Sequence, residues 1–198
     1  QCQDDDARGI ERALRQRLYA QEHFHDDTVC DADYRVGRVL RGTGWGVGET
    51  ITRPEESRGA YVWDAPIKTR ADLERMTQPT VAVDEAASAR VLQFHQDLFG
   101  DLLHVYFHNP VGGYALMDEW TRLRGIAPTF MDMSDDPQFV HDGMRTLLEG
   151  HLARSESMRE QGLLGLNNGN DYVGSGSWGW SDQLPQPDFS GTVRFMDL

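Results

Sequence analysis

Two short apolar runs in this chain each end abruptly in polar groups. Leu102-Leu103-His104-Val105-Tyr106-Phe107 is followed by His108-Asn109-Pro110-Val111-Gly112-Gly113-Tyr114. Leu163-Leu164-Gly165-Leu166 is followed by Asn167-Asn168-Gly169-Asn170-Asp171-Tyr172. An imidazole titrates near neutrality, so His108 is a candidate for giving or taking a proton. Asn109, Asn167, Asn168 and Asp171 can orient a substrate by hydrogen bonding. Tyr114, Tyr172 and Trp178 can wall a pocket. Asn and Gly also shape turns with no ligand involved, and for any one of these residues that is the simpler use. Two such segments, each closing an apolar run, together favour a site: His108, Asn167 and Asn168 catalytic, the others substrate-binding.

Other constellations fail on spacing. Gly42-Thr43-Gly44-Trp45-Gly46-Val47-Gly48 lacks the glycine at position 47 that a dinucleotide fingerprint requires, and no lysine follows as in a P-loop. Alternate glycines there suit a strand with one bare face, against which Trp45 or another element packs. His23 and His25, with Asp26, Asp27, Cys30, Asp31 and Asp33 close behind, resemble a metal cluster, yet His23 ends a helical pattern. A polar loop at a helix end is the better reading, so no metal site is assigned. Ser175 sits between glycines, but the nucleophile elbow needs glycine at 173 and 177, where Val173 and Ser177 stand.

The elements that must position these residues follow from periodicity. A helix is predicted from about 6 to 24, with Ala7, Ile10, Leu14 and Leu18 on one face. Residues 28–66 read as extended, with strand candidates at 34–36, 50–52 and 59–63. Thr69 can cap a short helix over 70–76. Asp84 opens a helix with Ala87, Val91, Phe94 and Leu98 in register, ending at Gly100. Helical text resumes over 113–124. The clearest helix begins at Asp136-Pro137 and carries Val140, Met144, Leu147, Leu148, Leu152 and Ser155 until Gly162 stops it. The runs 102–107 and 163–166 read as buried strands. Short apolar strands separated by helices imply a parallel sheet with both faces covered.

The formal net charge of −13 leaves no electrostatic footprint for a phosphate backbone and opposes an anionic membrane surface. No apolar run approaches the roughly 18 residues of a membrane span, and the start has no secretory pattern. Two cysteines, Cys2 and Cys30, are too few for a disulfide framework, which points to thiols in a cytoplasmic setting.

The stretch Trp63-Asp64-Ala65-Pro66-Ile67-Lys68-Thr69-Arg70-Ala71-Asp72-Leu73 is similar to one in the uroporphyrinogen decarboxylase (URO-D) superfamily. So are the helix after Asp136-Pro137 and the words Gly162-Leu163-Leu164-Gly165-Leu166-Asn167-Asn168. Tyr172-Val173-Gly174-Ser175-Gly176 through Ser181-Asp182-Gln183-Leu184-Pro185 resembles divergent members. The resemblance spans most of 60–198 and implies an α/β fold: a partial (β/α)8 TIM-type barrel with an N-terminal helix and a β-rich extension. The chain is then one domain, 1–66 helix plus extended region and 67–198 helices and barrel strands. Such barrels typically take about 250 residues, so the expectation is the front part of one.

The superfamily contains cofactor-free tetrapyrrole decarboxylases and zinc methyltransferases that serve corrinoid proteins. The resemblance therefore implies decarboxylation of an organic or tetrapyrrole-like acid, with no cofactor in this portion. Its alternatives are corrinoid-linked methyl transfer, with zinc in the later half of the barrel, and a binding module without catalysis. Partners implied are a small-molecule substrate, a second copy of the chain or a corrinoid protein. Two departures stand out. Arg15-Gln16-Arg17 lies in a predicted helix and does not match the decarboxylases' Arg-Gln-Ala-Gly-Arg segment, and no His-x-Cys zinc pair occurs.

Overall fold

The computed structural model describes residues 4–26, 29–53, 61–109, 114–166, 172–173, 177–178, 185 and 188–194, with backbone alone for Asp6 and for 172–173 and 177–178. Helix α1 (Asp5–His23) opens on Asp4, whose carboxylate accepts the Ala7 N–H at 3.0 Å. No side chain described on α1 is buried, and Leu18 is 60% exposed. The helix is instead tied down by Arg17, which donates to the backbone carbonyls of Asp31 and Asp33. At its end, His23 Nδ1 lies 2.9 Å from the Tyr19 carbonyl and the two rings stack. Nearby Cys30 is an exposed free thiol.

Strand β1 (Asp33–Gly37) is followed by β2 (Leu40–Arg41), β3 (Thr50–Thr52) and β4 (Val62–Asp64), the last two forming an antiparallel pair. Helix α2 (Arg70–Glu74) carries a reciprocal cap between Thr69 and Asp72. Strand β5 (Ala82–Val83) pairs antiparallel with β2. Helix α3 (Glu85–Phe99) begins at Asp84, which accepts the Ala87 N–H, and ends at Gly100. Strand β6 (His104–His108) then runs parallel to β1, from Asp33 opposite His104 to Gly37 opposite His108. Helix α3 packs on both strands, with the Tyr34 ring between His95 and Phe99. This β–α–β arrangement is one way to cover a face of a parallel pair.

Three further helices build the main core. Helix α4 (Leu116–Arg124) and α5 (Ile126–Asp135) are separated only by Gly125, at φ +98°, a conformation L side chains rarely adopt. Helix α6 (Pro137–Glu160) starts on Asp136, which accepts the Phe139 N–H. Trp45, Ile67, Leu73, Trp120, Leu123, Phe139 and Leu147 form the main cluster. A smaller one joins Val81, Met158, Leu163 and Leu164. Two glycines of α6 decide how tryptophan enters. A Cβ on Gly143 would lie 2.2 Å from the Trp120 ring, and one on Gly150 would lie 2.4 Å from the Trp45 ring. Strands β7 (Tyr172–Val173) and β8 (Ser177–Trp178) form a last small antiparallel pair.

The described residues thus hold six helices and four two-stranded sheets, with no closed barrel among them. Several expectations need correction. The run 163–166 is not a strand: Leu163 and Leu164 are buried, but their backbone joins no ladder. Leu102, expected in a buried strand, is 73% exposed in the turn before β6. The segment 42–48 is a loop, not a strand. Its Trp45 enters the core, and a Cβ on Gly42 would meet the Thr80 carbonyl at 2.1 Å. Helix α5 was not read from the sequence, although Ile126, Phe130 and Met133 keep helical spacing; that stripe faces outward, and Ile126, Phe130, Met131 and Met133 are all exposed. The stripe assigned to α6 holds at Val140, Leu147 and Ser155, which are buried, but Leu148 and Leu152 face outward and His151 is buried instead; on α3, Phe94 and Leu98 face outward and Ser88 is buried.

Candidate active site

Those inward polar residues have specific partners. Ser88 Oγ accepts the Val39 N–H at 2.9 Å, a structural use. His151 is different. Its Nε2 lies 2.5 Å from one oxygen of Glu119 on α4, and the other oxygen accepts the Trp45 indole N–H at 2.6 Å. The carboxylate is therefore gripped from the core side by a helix and by the glycine-rich loop. The imidazole packs edge-on to Trp45, with centroids 5.2 Å apart, and lies tilted against Tyr114 at 4.2 Å. One turn along α6, Ser155 Oγ donates to the Tyr114 hydroxyl at 2.9 Å.

The His151 side chain is 9% exposed. Its Nδ1 is shielded from solvent and has no hydrogen-bond partner. With a carboxylate on Nε2, that nitrogen carries an N–H, and Nδ1 is left to accept a hydrogen bond in the neutral ring or donate one in the charged ring. A buried polar atom left unpaired costs about 1–3 kcal/mol, so an arrangement of this kind marks a candidate for chemistry.

His151 stands on the wall of two cavities. One, of about 350 Å³, is the more polar of the two: Arg41, Thr43, Thr80, Glu119, His151 and Arg154 reach it beside Leu40, Trp45, Pro79 and Val81. Thr43 and Thr80 hold its mouth together through reciprocal backbone and hydroxyl bonds of 3.1–3.2 Å. Arg41 is engaged by Asp84 at 2.7 Å. Arg154 is half-buried and has no carboxylate partner among the described residues. The second cavity, of about 620 Å³, is mainly apolar and includes Tyr114, Leu116, Leu148 and Leu152.

The residues singled out from sequence fall differently. His108 is half-buried at the end of β6 and lines neither cavity. Asn109 is engaged by the fold: its Oδ1 accepts from Arg38 and its Nδ2 donates to the Gly162 carbonyl, both at 3.1 Å. The backbone of Asn109 also packs on Gly165, where a Cβ would come within 2.7 Å of its carbonyl oxygen. Asn109 and the end of the apolar run at Gly165 therefore lie side by side; Asn167, Asn168 and Asp171 lie outside the described residues. Tyr172 and Trp178 are paired across β7 and β8. Tyr114 is placed at a cavity wall.

His151, Glu119 and Trp45 were missed. One signal was present: position 151 is four residues after Leu147 and seven after Met144, so a titratable side chain stood where helical spacing puts an apolar one. Among the described residues no three His, Cys, Asp or Glu side chains are grouped to hold a metal ion, and no helix is long and apolar enough to cross a membrane. Comparison with protein families, with curated proteins and with solved structures finds no match to this chain.

Proposed function

We propose that this chain is part of a uroporphyrinogen decarboxylase-like enzyme, a partial (β/α)8 barrel of the cytoplasm that removes carbon dioxide from an organic acid. The resemblance in sequence supports the family, and the parallel β1–β6 pair covered by α3 is consistent with a barrel's building unit. The observation that carries the chemistry is His151, held by Glu119 with its Nδ1 unpartnered among the described residues, on the wall of a cavity that Arg154 also lines.

In this reading the substrate carboxylate enters the polar cavity and meets the Arg154 guanidinium. Breaking the carbon–carbon bond releases carbon dioxide and leaves an electron pair on the adjacent carbon. Charged His151 delivers its Nδ1 proton to that carbon and is reprotonated from water. Glu119 fixes the ring through Nε2 and balances its charge while it is protonated, as a carboxylate does for a catalytic imidazole. His151 takes the proton-transfer role first assigned to His108, because His108 reaches neither cavity.

The test is carbon dioxide release from uroporphyrinogen and from a panel of short mono- and dicarboxylic acids. His151→Gln should lower turnover by about 10²–10⁴-fold, and His108→Gln should leave it near wild type. The reverse outcome would move the site to the end of β6. No release from any acid, with acids still bound, would make the chain a binding module.

A further inference from the structure

The glycine-rich loop holds its tryptophan from both ends. Trp45 is 7% exposed, and its carbonyl accepts the Thr77 N–H at 2.8 Å. The next residue, Gly46, has φ +73°, and a Cβ there would lie 2.7 Å from Thr77 Oγ1. On the other side the six-membered half of the indole fills the notch at Gly150, beside Pro79. Backbone and ring are both fixed. The one polar atom of the side chain, Nε1, donates to Glu119 at 2.6 Å.

Glu119 has reason to need that bond. Its side chain is 30% exposed, so water competes for the carboxylate. A glutamate gives up much rotamer freedom when held in one place, and hydrogen bonds to an ionised acceptor are the strong ones. Two of them hold the group where one would leave it free to turn. With one oxygen taken by the indole, the other is committed to His151 Nε2 at 2.5 Å. The His151 ring also packs edge-on against the same indole, at 5.2 Å between centroids. One side chain therefore both bounds the imidazole and aims its acceptor. Burial alone does not demand such a bond: Trp120, wholly buried in the same cluster, has an indole N–H with no partner among the described residues.

We infer that Trp45 is a positioning residue for the proposed proton transfer: its indole N–H fixes the Glu119 carboxylate, which fixes His151 with Nε2 engaged and Nδ1 left for the reaction. Its effect on turnover rests on the decarboxylase reading, whereas its hold on His151 does not.

Proton NMR of the intact protein reads that hold without any turnover. A histidine N–H bonded to a carboxylate should resonate well downfield of the amides, and loss of the signal in His151→Gln assigns it. Trp45→Phe keeps an aromatic ring at the Gly150 notch and loses the donor. In this variant the His151 signal should move upfield or broaden into exchange with water. Turnover of whichever acid the wild type accepts should fall about 10–100-fold, with KM nearly unchanged. Trp120→Phe removes an indole from the same core without a bond to Glu119, and should keep both signal and turnover. Should Trp45→Phe fail to fold, Gly150→Ala displaces the indole and is read in the same way. Absence of the signal in wild type, its persistence in Trp45→Phe, or its equal loss in Trp120→Phe overturns the hold. A lost signal with normal turnover overturns the positioning role. A signal lost in Trp45→Phe alone, in a protein that decarboxylates no acid, upholds the hold and sinks the decarboxylase reading instead.

Discussion

Glu119 accepts hydrogen bonds from two residues that never meet in sequence, Trp45 and His151, and its carboxylate is the hinge of the candidate site. Glu119→Gln keeps the size but loses the charge and the second acceptor oxygen. We expect it to lower turnover far more than substrate affinity, seen as a fall in kcat with KM nearly unchanged. Trp45→Phe should remove a bond to a charged group worth about 1.5–3 kcal/mol of stability while keeping most of the buried ring, measured by urea unfolding. Elsewhere, residue chemistry sets the acid response. The Ala87 N–H, and then Arg41, hold the Asp84 carboxyl below its ordinary range. A depressed value in the folded state means the stabilisation is complete above the ordinary aspartate value, about 3.9, and is lost as pH falls through the lower folded one. Asp84→Asn caps the helix without ionising. The stability gap between wild type and this variant should therefore shrink on acidification below about pH 4, a result that thermal melts across pH would show. A gap independent of pH would refute it.

At the scale of elements, α6 organises the molecule: it presents two glycine notches to two tryptophans and one histidine to a carboxylate. Gly150→Ala should gain about 1 kcal/mol of helix propensity but push the Trp45 ring from its seat. Overpacking of that kind costs about 1–3 kcal/mol, and the displaced indole should also loosen its grip on Glu119. The expected outcome is a less stable protein with altered tryptophan fluorescence. Unchanged stability and spectrum would show the notch to be slack. Helix starts were legible because capping is local: Asp4, Asp84 and Asp136 each accept an N–H three residues on, and Thr69 forms a capping box. Helix faces were harder to read. Apolar letters drew the stripes of α3 and α6 toward Phe94, Leu98, Leu148 and Leu152. Packing instead selected Ser88 and His151, and kept Ser155, each with one polar atom partnered inside.

For the whole molecule, burial is uneven. Helix α6 contributes eight buried residues, whereas α1 contributes none among those described. Local opening follows contact density. Amide hydrogen exchange should therefore find α1 exchanging at rates set by fraying, while the middle of α6 exchanges only with global unfolding. Equal protection of the two helices would mean that α1 is covered in solution by something beyond the contacts described. Among the described residues its links to the body include the bonds from Arg17 to Asp31 and Asp33, and Arg17→Ala should loosen it further without changing α6.

What the amino-acid sequence determined by itself is what depends on neighbours a few residues away. It set the helix starts at Asp4, Thr69, Asp84 and Asp136, the stops at Gly100 and Gly162, and the extended character of 33–37, 50–52 and 62–64. These rest on caps, breakers and side-chain period, which act within a turn. The tertiary structure alone decided that β1 lies parallel to β6, 71 positions on, and that residues 163–166 stay outside any ladder. It alone also brought Trp45, Glu119 and His151 to one point, across separations of 74 and 32 positions. No local preference encodes such meetings. They arise because two glycines of α6 leave room for two indole rings, and the chain settles where those rings are buried and the Glu119 carboxylate is satisfied by Trp45 and His151.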